Sequence, residues 1–154
     1  MERTDYTEIR AQIRKWHEDK SLFRQAAEAA FEYIDNVQDR NVYPLKEDLD
    51  KLSVFDESFP EKMGDGSQII SLLHAAGSPA TVAQTGGRYF GFVNGGVTAP
   101  ALAARWLADV WDQNAGLHVI SPVAAHLETV CETWLKQLFG LPDQTVAGFV
   151  SGTS

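Results

Sequence analysis

From Pro100 to Trp111 the chain reads Pro-Ala-Leu-Ala-Ala-Arg-Trp-Leu-Ala-Asp-Val-Trp. Proline suits the first turn of a helix, and the polar residues Arg105, Asp109 and Asp112 fall on a single stripe with apolar residues everywhere else. Such a helix has to be covered on most of its sides. A chain of 154 residues has material for one ordinary core, so part of the cover is expected from another chain or domain.

The remaining segments read mainly as helices. Ile9, Ile13 and Trp16 share one face of a helix within the first twenty or so residues, and Phe23, Ala27, Ala30, Ile34 and Val37 form the stripe of a second over 21–38. Asn41-Val42-Tyr43-Pro44 breaks that pattern; residues 45–52 read as a short helix and 53–66 as loop. Ser67 is the expected N-cap of a helix to Ala76, ended by Gly77. In Gly86–Gly96 large aromatics alternate with small residues, the pattern of a tight, buried loop in which backbone is approached closely. Ser121-Pro122 opens the best-defined helix, striped by Leu127, Cys131, Trp134 and Leu138 and stopped by Gly140 and Pro142. Val146–Val150 reads as a buried strand running into Ser151-Gly152-Thr153-Ser154. A strand and a small-residue turn normally feed a helix whose free N–H groups bind an anion. The expected fold is therefore mainly α, leading into the start of a truncated α/β domain.

Composition narrows the function. A net charge of −8 with no Lys/Arg run argues against nucleic acid and against an anionic membrane surface as partners. The apolar stretch Val97–Leu107 is interrupted by Arg105 and is too short to span a bilayer, and the first residues lack the apolar run of a signal peptide. A single cysteine, Cys131, forms no internal disulfide and no zinc knuckle. No metal site is expected, and a cytoplasmic location is the natural reading.

From about Val42 onward the chain resembles the group II pyridoxal-phosphate (PLP) dependent amino-acid decarboxylases of fold type I, the aromatic-amino-acid, tyrosine and glutamate decarboxylases. The resemblance is carried by Arg88-Tyr89-Phe90-Gly91-Phe92, the helix opened by Pro100, Trp111-Asp112-Gln113-Asn114-Ala115-Gly116-Leu117-His118, Ser121-Pro122 with Leu127-Glu128, Trp134-Leu135, Gly140-Leu141-Pro142 and Ser151–Ser154. It implies a homodimer, with residues 1–110 as an N-terminal helical dimerisation region wrapped around the partner. Residues 111–154 would begin the large PLP-binding domain.

The same resemblance implies site residues. Gly152, Thr153 and Ser154 match the turn that receives the PLP phosphate, where backbone N–H groups and hydroxyls are the chemistry a dianion needs. Phe92, Val93 and Asn94 fall where relatives wall the amino-acid substrate; many relatives have proline at the third position, so Asn94 is a departure that bears on substrate preference. Asn114, Gly116 and His118 match a loop that reaches toward the partner's pocket. His17, His74 and His126 sit in helical settings and carry no expected role. The Schiff-base chemistry needs a lysine, and none of Lys15, Lys20, Lys46, Lys51, Lys62 or Lys136 matches the family's catalytic one. The expectation is a parent carboxy-lyase to which this segment brings dimer contacts, part of the substrate wall and the phosphate turn, while being inactive alone. The alternatives are a non-catalytic helical association module and another fold type I PLP reaction.

Overall fold

A computed structural model describes residues 6–61 and 64–150. The fold is mainly helical, with no strand among the described residues. The order is α1 (Tyr6–Glu18), α2 (Ser21–Asn36), α3 (Lys46–Asp50), a 3-10 turn (Lys51–Phe55), α4 (Gly66–Leu72), a π-turn (Leu73–Gly77), α5 (Ala99–Trp111) and α6 (Pro122–Phe139). No described helix is long and apolar enough to cross a membrane. The chain divides into two compact units, one ending at Gly96 and one beginning at Val97.

In the first unit α4 packs on α2, and the 3-10 turn packs on the π-turn that continues α4. Gly66 lets the start of α4 come against Leu22, since a Cβ there would stand 2.9 Å from Leu22 Cδ1. Gln25 bonds across the same contact: its amide donates to Ser67 O and Ser71 Oγ, and Ser67 Oγ donates to Gln25 Oε1. The N-cap of α4 is Asp65, whose carboxylate takes the Gln68 N–H at 2.9 Å, and not the expected Ser67, whose hydroxyl is turned to Gln25. Val37, Ala76 and Ala83 form the buried centre.

The covered face of α2 matches the expected stripe in part. Ala27, Ala30 and Val37 are covered as expected, joined by Leu22, Gln25, Ala29 and Tyr33, while Phe23 and Ile34 are exposed. The polar residues Gln25 and Tyr33 win these places by hydrogen bonding across the unit, Tyr33 through Thr81 Oγ1 at 2.9 Å. In α1 the residues Ile9, Ile13 and Trp16 are exposed as well.

The second unit leaves still more apolar surface open. Every residue of α5 except Leu102 is exposed, so the covering that its composition demands is not supplied by the described residues of its own unit. Helix α6 begins and ends as its sequence predicts, with Pro122 in the first turn and Gly140 in the left-handed cap. Ser121 does not cap it by its side chain; the hydroxyl is buried and without a hydrogen-bond partner among the described residues. The expected burial of Leu127, Trp134 and Leu138 is overturned, for they are 53, 64 and 75% exposed. The face of α6 that is partly covered carries Ala124, Glu128, Cys131, Glu132, Leu135 and Lys136, because residues 143–150 return along it.

Those returning residues include the expected strand Val146–Val150, which forms no strand, with Val146, Phe149 and Val150 exposed. A strand exists only through ladder bonds to a neighbour, and the described residues offer none. Among the described residues, the stretch expected to open an α/β domain thus holds helix and no strand.

Candidate functional site

The glycine-rich segment is tight where it meets the first unit and open at its tip. Gly86 stands so close to the Val37 and Ala83 carbonyls that a Cβ would lie 3.1 and 3.2 Å from them. Beyond it, Asn94 N–H donates to Gly91 O at 3.2 Å, with φ of 54° at Phe92 and 58° at Val93. Two successive positive φ values inside a four-residue hydrogen-bonded turn are the pattern of a type I′ turn, whose usual occupants are Asn and Gly. An aromatic and a β-branched residue there hold about 1–3 kcal/mol of backbone strain each. Both side chains are fully exposed, which corrects the expectation of a buried loop for this part of the segment. Gly91 is required beneath the turn, since a Cβ would stand 2.8 Å from the Tyr89 hydroxyl, and that hydroxyl accepts from Asn94 Nδ2 at 3.4 Å.

Asn114, Gly116 and His118 belong to the second unit. Gly116 N–H donates to Asn114 Oδ1 at 3.0 Å, a side-chain turn that rounds the chain out of α5 after Asp112, which caps the helix with φ 49°. His118 is exposed. The structure thus brings Phe92, Val93 and Asn94 into one turn and couples Asn114 to Gly116. Gly152, Thr153 and Ser154 lie outside the described residues.

Lys20, Lys46, Lys51 and Lys136 are engaged elsewhere. Lys46 pairs with Asp50 at 2.9 Å, Lys51 with Asp48 at 2.9 Å and Lys136 with Glu132 at 3.0 Å. Lys20 donates to the His17 carbonyl and lies over the Phe23 ring, and Lys62 lies outside the described residues. A lysine that forms a Schiff base needs its amine held deprotonated. Lys51 is moved the other way, above its ordinary value, by its hydrogen bond to Asp48 and then by the charge of that carboxylate. Lys51 is thereby a poor Schiff-base candidate.

Sequence reasoning passed over a cleft of about 560 Å³ in the first unit, walled by α2, Tyr43, Asp48 and the π-turn. His74, given no role above, has its Nε2 3.1 Å from Glu32 Oε2 and its Nδ1 3.4 Å from Ser78 Oγ. Arg40 closes one side, stacked on Tyr33 with 5.2 Å to the ring centre. Its guanidinium donates to Ser78 O, Pro79 O, Thr81 O and Thr81 Oγ1. His74 lies on the helix expected over 67–76, but Glu32 and Arg40 come from a distant segment and carry no local signal. Among the described residues no group of three or more His, Cys, Asp or Glu is placed to hold a metal ion. No family model matches the chain, and no curated protein matches it.

Proposed function

We propose that this chain is the N-terminal part of a PLP-dependent decarboxylase of amino acids, in which it supplies dimer contacts, part of the substrate wall and the turn for the cofactor phosphate. The observation that carries the reading is the Phe92–Val93 tip, two apolar side chains held in strained left-handed backbone and offered wholly to solvent. Strain of that kind persists where a surface has to be presented in one shape. The order of motifs from Arg88 to Ser154 supports the same reading, with residues 111–154 opening the α/β domain and the active site completed by a second copy. Amino acids are the substrates, and PLP supplies the electron sink when bound.

The test is CO₂ release from a panel of amino acids by the PLP-loaded polypeptide that carries this sequence, with Phe92→Ala as the variant. Release from at least one amino acid, with KM raised or preference altered by Phe92→Ala, is expected. A PLP-loaded protein that decarboxylates none overturns the reading. For the 154-residue chain alone, borohydride reduction after incubation with PLP is expected to label lysines in a scattered, substoichiometric way. Stoichiometric labelling of one lysine would place the chemistry within this segment. A second reading, a non-catalytic association module, is favoured by the uncovered faces of α1, α5 and α6.

A further inference from the structure

After α6 the chain turns back on itself. Leu141 N–H donates to Lys136 O at 2.9 Å, and Thr145 N–H closes on Pro142 O at 3.0 Å. Residues 145–150 follow without helix or strand, with Thr145 and Ala147 partly covered and Val146, Gly148, Phe149 and Val150 exposed. Phe149 reaches the groove formed by Cys131, Trp134, Leu135 and Leu138.

Ala147 N–H finds its acceptor in a side chain, Glu132 Oε2 at 3.1 Å. The other carboxylate oxygen takes Lys136 Nζ at 3.0 Å, and the same ammonium reaches Asp143 O at 3.3 Å. Both side chains are withdrawn from water, at 26% exposure for Glu132 and 22% for Lys136. The Glu132 carboxyl is held below its ordinary value by the Ala147 N–H first and by Lys136 second. A carboxylate oxygen therefore takes a backbone N–H that strand pairing would otherwise use.

We infer that Glu132, steadied by Lys136, is a latch that seats residues 143–150 on α6 and withholds the Ala147 N–H from strand pairing. A run of Val, Ala, Gly, Phe and Val, without charge or proline, pairs readily through the backbone groups it exposes, and the latch takes one of them out of use. This goes beyond the functional reading above and does not depend on it.

Residue-resolved amide hydrogen exchange on the whole chain tests it. In the unaltered protein Ala147 is expected to exchange more slowly than Val146 and Gly148. Glu132→Ala should speed Ala147 by about tenfold, the loss of one charge-assisted hydrogen bond. Glu132→Gln, which keeps a carbonyl oxygen, should restore much of the protection, and Val37 and Ala83 in the first unit should not change. Should Glu132→Ala fail to fold, Lys136→Met is read in the same way and should speed Ala147 to a smaller degree. Ala147 exchanging as fast as Gly148 in the unaltered protein, or unmoved by every variant that folds, overturns the latch.

Discussion

At Val93 the side chain and the backbone disagree. The residue prefers extended geometry, yet φ is 58°, and because the side chain touches only solvent no packing within the chain offsets the cost. Val93→Gly is therefore expected to raise stability by about 1 kcal/mol, after allowance for the greater freedom of unfolded glycine. Urea unfolding measures this, and a loss of stability would show that Val93 makes contacts that matter in the folded state. Glu132 gives the pH dependence. Its folded carboxyl lies below its ordinary value, so its contribution to the seating of 143–150 is complete above the ordinary glutamate range. That contribution is lost as pH falls through the lowered folded value. The emission of Trp134, which shares a groove with Phe149, should follow this release, and Glu132→Gln should abolish the dependence.

At the scale of elements, Gly140 ends α6 with φ 61°, and a Cβ there would meet nothing within 4 Å. The cost of Gly140→Ala is then conformational alone, about 1 kcal/mol, read from the thermal unfolding of α6 by circular dichroism. This terminus was legible in the sequence, as were Pro100 and Pro122 at helix starts, because proline and glycine act on the backbone where they stand. The faces were less legible. Spacing put Phe23 and Ile34 on the buried side of α2, but Gln25 and Tyr33 took it through bonds to residues more than forty positions away, which no local pattern reports. Arg40 was invisible for the same reason, since its partners at Ser78, Pro79 and Thr81 are carbonyls common to every residue type. Val146–Val150 has the composition of a strand, and composition cannot supply the neighbour that makes one. Of the candidate site, the turn at 91–94 was legible as glycine-rich, while its strain was not.

For the whole molecule the governing fact is how much apolar surface stays in water, on α1, on α5 and along the outer side of α6. Self-association at micromolar concentration is the expected outcome in sedimentation, through α5 above all. Leu107→Glu with Val110→Glu should shift the protein toward monomer while leaving the helical signal unchanged, since neither side chain is buried within the chain. A monomer that sediments alike with and without these charges would remove α5 from the interface. The four tryptophans, Trp16, Trp106, Trp111 and Trp134, are all exposed to solvent, Trp106 least. The isolated chain should accordingly emit at the long wavelengths of hydrated indole and be quenched freely by acrylamide. Any assembly that covers α5 would shift Trp106 and Trp111 to the blue and shield them, so that the colour of the light alone would tell a covered α5 from a bare one.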